Sequence, residues 1–206
     1  MAGWIAGVAL AMAGAGTAIA GESCQAWLEQ GDAEVGGYSA FTRSALANEN
    51  MVAASMVVLP SFDKEYAVSL ARDGDRWRVR YSIVAKQIWT NPDPAPPIVR
   101  SREIDIAPDL ARRIVSTWAA IIAHPIARDP DLIYGDGTNY VFSVDGHRAT
   151  TWTPRCGLPL LAVQSAEALI VAAKAKTKRA RESALDRIPV LLDSITPYTA
   201  TADASH

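Results

Sequence analysis

The stretch Tyr66 to Val84, YAVSLARDGDRWRVRYSIV, has the clearest periodicity in the chain and decides its fold class. Apolar side chains alternate with small or charged ones on both sides of Asp73-Gly74-Asp75, which is a typical turn sequence. A period of two predicts a β-hairpin with one buried face and one solvated face. Because parallel sheets are covered on both faces, this hairpin indicates an antiparallel sheet.

Further strands and helices are expected on both sides of this hairpin. Short strands fit residues 53–60 and 98–106, and a second hairpin with an Asp145-Gly146 turn fits residues 139–152. An apolar stripe predicts a helix from Pro108 to the His124-Pro125 pair, and helical periodicity returns over 162–195. We therefore predict a single α+β domain, with an antiparallel sheet built from hairpins and packed by two or more helices.

Five aromatic residues are expected in the core of this domain. They lie on the apolar parity of their strands or on the helical stripe. They are Trp77, Tyr81, Trp118, Phe142 and Trp152.

Residues 1–20 have the composition of a secretory signal peptide. They contain no charged side chain, and Ala18-Ile19-Ala20 is an A-x-A cleavage sequence. The alternative is an uncleaved membrane anchor, since twenty apolar residues can just span a bilayer. Cleavage would leave a domain over residues 21–195 and a loose tail over 196–206, with no further membrane span. This organisation predicts a periplasmic or secreted protein.

The chain has two cysteines, Cys24 and Cys156, and both lie in the part expected to be exported. An oxidising compartment favours a disulfide between them. The other interpretation, a redox-active thiol, lacks the C-x-x-C spacing. Early in the same region, residues 24–29 resemble a short helix ended by Gly31, and Gly36-Gly37 is expected to break the chain.

Charge and motifs exclude several function classes. Lys and Arg total 20 against 22 Asp and Glu, so a nucleic-acid partner held by overall positive charge is not expected. The sequence contains no nucleophile elbow, phosphate loop, dinucleotide fingerprint or zinc-protease motif. The histidines, His124, His147 and His206, have no other His or Cys at ligand spacing. No catalytic residue, metal or cofactor is therefore assigned.

The first hairpin provides the candidate binding surface. Arg76, Arg78 and Arg80 alternate with the apolar residues of their strand, and Arg100 and Arg102 would add to them if the next strand pairs alongside. Clustered guanidinium groups bind carboxylates or phosphates in a bidentate manner. The alternative is a solvated sheet face on which these arginines pair with three acidic residues. Those residues are Glu65, Glu103 and Asp105.

One segment resembles a known class of proteins. Asp136-Gly137-Thr138, Tyr140 and Phe142, then Thr151-Trp152-Thr153-Pro154 before an apolar helix, is similar to a pattern in small uncharacterised exported proteins of Gram-negative bacteria. The resemblance covers about forty residues and implies a small, exported α+β protein. It implies no activity.

These features predict an exported periplasmic binding protein without a catalytic motif, of the kind represented by inhibitors and immunity proteins. Its partner would be another envelope or secreted protein. The alternative is a cell-envelope hydrolase whose site is built from scattered residues. An exposed tryptophan or a basic sheet face would favour the first function. A cleft joining a carboxylate to His147 or His124 would favour the second.

Overall fold

Seven antiparallel strands form one sheet in the computed structural model, which describes residues 26–31, 37–48, 51–89, 96–129 and 135–203. The strands lie in the spatial order β1-β7-β6-β2-β3-β4-β5. They are β1 (Glu29–Gln30), β2 (Ala54–Pro60), β3 (Tyr66–Asp73), β4 (Arg76–Val84), β5 (Val99–Ile106), β6 (Thr138–Val144) and β7 (His147–Trp152).

The described residues also contain five helices. They are α1 (Gly37–Ala47), α2 (Pro108–Ala123), α3 (Gly157–Lys174), α4 (Lys178–Leu185) and α5 (Arg187–Asp203). Helices α2 and α3 pack on one face of the sheet, here called the helix face, and α5 packs on both of them. Helix α1 packs alone on the opposite face, the α1 face. The predicted α+β class with an antiparallel sheet is confirmed.

Both predicted hairpins form, and their turn residues explain why. Gly74 has φ +59° at the first position of the β3–β4 loop, where a type II′ turn requires positive φ. In the β6–β7 loop Asp145 and Gly146 both have positive φ, +48° and +82°, as a type I′ turn requires. These turns set the register that pairs Val68 with Tyr81 and Val144 with His147.

The main core lies between the helix face and α2, α3 and α5. Trp118 of α2 is almost fully buried, its ring contacts Phe142 edge-on at 5.3 Å, and its Nε1 donates to Ser165 Oγ at 3.0 Å. Trp77 and Tyr81 are buried in the same cluster. Burial of these four predicted aromatic residues is therefore confirmed.

Trp152 does not join that core. It pairs with Asn139 in the β6–β7 register, on the parity of Thr150, and is half-buried on the α1 face. The prediction was wrong because the two-residue turn pairs Val144 with His147. Even-numbered residues of β6 therefore share a face with odd-numbered residues of β7. The register carries Ala149, not Trp152, to the side of Phe142.

The solvated face expected for the first hairpin is only partly solvated. Over β2 and the first part of β3 both faces are buried, because α1 packs Leu46 and Ala47 against Val57 and Ala67. Exposed charged side chains on this face lie at the turn between β3 and β4, such as Asp73 and Arg76, and on β5, which is an edge strand of the described sheet. Charge on an edge strand is a common protection against aggregation.

Two expectations about the ends of the chain are corrected. Residues 28–30 are extended rather than helical: Leu28 exchanges two backbone hydrogen bonds with Ile126, each 2.9 Å, and Glu29–Gln30 pairs with β7. The tail expected over 196–206 is helical through Asp203, as a continuation of α5, which is anchored by buried residues such as Ile188 and Leu192. Residues 1–20, Cys24 and His206 lie outside the described residues.

Helix α3 is long and apolar enough to cross a membrane by length and composition. In this fold 61% of its most apolar window is buried, with Leu169 and Ala166 fully enclosed against the sheet and neighbouring helices. Its hydropathy is accounted for by its place in the core.

Glycine is required at position 137 because the Trp152 indole lies very close to it. A Cβ atom at Gly137 would lie 2.4 Å from the Trp152 indole, whereas a Cβ at Gly135 would meet nothing within 4 Å. We expect Gly137→Ala to lower the free energy of unfolding by about 1–3 kcal/mol through overpacking. Gly135→Ala, the matched control, should change it by less than about 0.5 kcal/mol.

Urea denaturation of both variants measures this difference. A second substitution, Trp152→Val, should remove most of the penalty of Gly137→Ala because it removes the ring that the new methyl group meets. Equal stabilities of the two alanine variants would contradict the contact.

Candidate functional site

The carboxylate of Glu65 is completely buried just before β3, on the α1 face. It accepts hydrogen bonds from the backbone N–H of Ile88 at 2.9 and 3.0 Å, from the backbone N–H of Trp89 at 3.0 Å and from the Tyr38 hydroxyl at 2.5 Å. A buried carboxylate requires such donors, because leaving its charge unsolvated would cost several kcal/mol. Glu65 therefore ties α1 and the segment after β4 to the sheet.

Tyr38 lies in the first turn of α1 and connects Glu65 to the protein surface. Its ring packs edge-on against the Trp89 indole, with centroids 5.1 Å apart and planes at 63°. Burial, then the hydrogen bond to Glu65 and the negative charge of that carboxylate, raise the pKa of the Tyr38 hydroxyl well above its usual range. The phenol therefore stays protonated and acts as a fixed donor.

Trp89 is 52% exposed although its backbone and one ring edge are held in place. Phe41 follows Tyr38 by one helical turn on α1 and is 42% exposed. We call these three residues, Tyr38, Phe41 and Trp89, the Trp89 surface. Because the Tyr38 contact already restricts the exposed Trp89 indole, that side chain loses little conformational entropy on binding.

The loops beside the Trp89 surface carry mainly positive charge. The Gln87 amide donates to the Ser61 carbonyl at 3.1 Å, so the loop before β3 and the segment after β4 are adjacent. These loops expose Lys64 and Lys86 against Asp63. The surface therefore combines an apolar centre with a basic rim.

The five predicted arginines do not form one surface. Arg76, Arg78 and Arg80 share the α1 face, as expected, but the β4–β5 register pairs Arg100 with Ile83 and Arg102 with Tyr81 on the helix face. The prediction was wrong in adding the last two, since they share the parity of the buried Ile104. Arg102 instead donates to the Lys174 carbonyl at the end of α3, at 3.2 Å.

The three remaining arginines are matched by three acidic groups on the same face. Arg78 lies 3.1 Å from Asp73 and 3.7 Å from Glu103, and Arg80 lies 2.6 Å from Glu103. Asp105 lies opposite Arg78 in the register. The three arginines and three acidic residues, here called the arginine strip, therefore carry no net charge together. Binding through these arginines stays a prediction. The proposed pairing of Glu65 with them is wrong, because Glu65 is buried at the other end of the sheet.

A cleft lies on the helix face at the β6–β7 turn, with a volume of about 320 Å³. Seven residues line it: Gln30, Ala119, Ile122, Ala123, Val144, Asp145 and His147. His147 and the Asp145 carboxylate both line this cleft, whereas the hydrolase alternative requires the two groups to be in contact. None of these seven described residues carries a hydroxyl or a thiol.

His124 and Cys156 both lie at helix ends. The Nδ1 atom of His124 lies 2.6 Å from the Ala120 carbonyl oxygen at the end of α2. Cys156 directly precedes α3, and the predicted bond to Cys24 involves a residue outside the described part of the chain. Where the structure describes the chain, no three His, Cys, Asp or Glu side chains gather as metal ligands.

A second group of tyrosines lies on the helix face near Glu167 of α3. The Tyr66 hydroxyl donates to Glu167 Oε1 at 3.0 Å. Burial first, and then the charge of Glu167, raise the pKa of Tyr66, Tyr81 and Tyr140. Like Tyr38, these phenols are held in their neutral form.

Trp89, Tyr38 and the role of Glu65 were not predicted from the sequence. One signal for Trp89 was present, since it falls after the alternating strand and two residues before the proline-rich stretch that begins at Asn91. Glu65 had no comparable signal, because its donors are 23 to 27 residues away in sequence.

Comparison of the chain with protein-family models, with curated proteins and with solved structures finds no match.

The raised tyrosine pKa values predict how stability depends on alkaline pH. In the unfolded chain these phenols ionise near pH 10, while in the folded protein they resist ionisation. Above about pH 10 the folded state binds more protons, so the free energy of unfolding falls as pH rises, and it is unaffected below that pH. Tyr38→Phe combined with Tyr66→Phe should reduce this fall.

Urea denaturation at a series of alkaline pH values measures the slope in the parent and in the double variant. Identical slopes in the two proteins would show that these hydroxyls do not carry the effect.

Proposed function

We propose that this protein is an exported binding protein, periplasmic or secreted, whose Trp89 surface docks onto another envelope or secreted protein with an acidic surface. The observation that carries the proposal is the placement of Trp89. Its indole is half exposed, yet the Glu65 carboxylate binds its backbone N–H and the Tyr38 ring packs against the indole. Inhibitors and immunity proteins act by docking of this kind.

Aromatic composition supports a protein partner. Tryptophan and tyrosine are enriched among the residues that contribute most to protein–protein binding, and such residues lie at the centre of an interface. Immobilising a free side chain on binding costs about 0.5–1.5 kcal/mol. The Tyr38 ring already restricts the Trp89 side chain, so less of its freedom is lost on binding.

The rim supports an acidic partner. Lys64 and Lys86 are exposed beside the Trp89 surface, and Asp63 is the one exposed acidic side chain on the same described loops. Charges at an interface rim accelerate association with a surface of opposite charge. The arginine strip has no net charge, because acidic residues of β3 and β5 balance the arginines of β4, so it contributes less to this attraction.

The hydrolase remains a second candidate because of one observation, the shared cleft of Asp145 and His147. Hydrolysis of envelope material there would have to use a water molecule activated by His147 or Asp145, since the seven described lining residues supply no hydroxyl or thiol nucleophile. Loss of cell-wall hydrolysis in His147→Gln, with retention in Trp89→Ala, would favour this candidate.

Export and the disulfide belong to the same proposal. The charge-free residues 1–20 with Ala18-Ile19-Ala20 support export. A Cβ atom built on Gly157 lies 3.3 Å from the Cβ of Ala26, so the chain two residues after Cys24 packs against the residue that follows Cys156. That proximity supports a Cys24–Cys156 bond, whose Cα atoms must lie within about 7 Å.

Intact-mass measurement of the exported form tests both features. We expect a chain that begins at Gly21 and is lighter than its reduced form by two hydrogen atoms. A chain that retains Met1 would contradict export, and two alkylatable thiols would contradict the disulfide.

Photo-crosslinking in intact cells tests the binding surface. A photoreactive phenylalanine analogue at Phe41, inside the surface, should cross-link to a protein, whereas the same analogue at the exposed Val190 on α5 should not. For the purified partner, Trp89→Ala should weaken binding by at least about thirtyfold, the effect of a residue worth 2 kcal/mol or more. Val190→Ala is the control variant.

Added salt should weaken the association, because it screens the rim charges. Cross-links from position 41 that appear only on glycan or lipid, or a partner bound equally by the parent and Trp89→Ala, would contradict the proposal.

A further inference from the structure

We propose that the cleft at the β6–β7 turn binds an organic cation, a primary ammonium group on a short apolar stem. The ammonium group could belong to a free amine or to a lysine side chain. The cleft lies on the helix face and the Trp89 surface on the α1 face, so this inference is independent of the proposed function.

The floor of the cleft suits an apolar stem. Ala119 and Ala123 are one turn apart on α2, and their small side chains leave room beside Ile122 and Val144. The volume of about 320 Å³ is at the lower end for small-molecule sites. A stem of a few methylene groups would bury its surface there.

The rim of the cleft suits a positive charge. Asp145 supplies the one formally charged side chain among the lining residues, and the Gln30 amide oxygen and the His147 ring offer further acceptors. Helix α2 ends at Ala123, within the lining, and the carboxyl end of a helix carries partial negative charge. The field therefore attracts an ammonium group and repels a carboxylate or a phosphate.

The backbone fixes the position of Asp145. It has φ +48° in a two-residue turn with Gly146, a conformation that asparagine adopts as readily as aspartate. Asp145→Asn therefore removes the charge while keeping the turn. It is the appropriate variant because loss of binding could not be ascribed to a changed hairpin.

NMR titration of the full exported chain with n-butylamine tests the proposal. We expect backbone amide shifts at residues 144–147 and at the end of α2, with saturation in the millimolar range. n-Butanol, which has the same stem without the charge, should bind about fivefold more weakly, the most expected from one half-exposed ion pair. Butyrate should cause no shift there.

Three variants separate charge from shape. Asp145→Asn should lower the affinity for n-butylamine to that for n-butanol. Ala119→Leu should fill the cleft and abolish binding of both n-butylamine and n-butanol. Ser116→Leu, at an exposed position one turn earlier on α2 and outside the lining, should change neither affinity. Trp89→Ala should also leave this binding unchanged, which separates it from the proposed function.

A second titration distinguishes the two sources of the cation. N-acetyl-lysine amide represents a lysine side chain, and its Nε-acetylated form is the neutral control. Binding of n-butylamine alone indicates that the site takes a free amine, and binding of both amines indicates that it also accepts a lysine side chain; either result supports the proposal. Equal binding of charged and neutral ligands, or shifts unaffected by Asp145→Asn, would overturn it.

Discussion

The Trp89 surface depends on the hydrogen bonds that the buried Glu65 carboxylate accepts. Its donors come from the first turn of α1 and from the backbone directly after β4, two segments that are distant in sequence. Each donor left without an acceptor would cost about 1–3 kcal/mol. One side chain thereby fixes the helix of the α1 face, the end of the central hairpin and the exposed Trp89 together.

The two faces of the sheet have different roles as a consequence. The helix face is covered by α2, α3 and α5, and its core around Trp118 supplies most of the buried apolar surface. Among the described residues, the eleven-residue helix α1 covers the α1 face and leaves aromatic side chains and charged strand residues at the surface. The site on this face is therefore supported by the rigid sheet behind it, while the cleft at the opposite face lies where α2 ends.

The sequence predicted the features that depend on local physics. The hairpins followed from a period of two and from Asp-Gly turns, and α2 followed from its apolar stripe and Pro108. Helix α1 was missed because Gly36-Gly37 suggested a break, although glycine at the first position of a helix interrupts little. The site was missed because the partners of Glu65 are set by tertiary packing. Arg100 and Arg102 could have been placed correctly by extending parity from Ile104.

Hydrogen exchange at the Ile88 and Trp89 amides tests the central claim most directly, that Glu65 holds the Trp89 surface in place. We predict slow exchange at both amides in the parent, much faster exchange in Glu65→Ala and a smaller increase in Glu65→Gln, which keeps one acceptor oxygen. The Val79 amide, in the middle of the sheet, should keep most of its protection in Glu65→Gln and reports whether the fold survives. Unchanged protection at Ile88 and Trp89 in both variants would contradict the account.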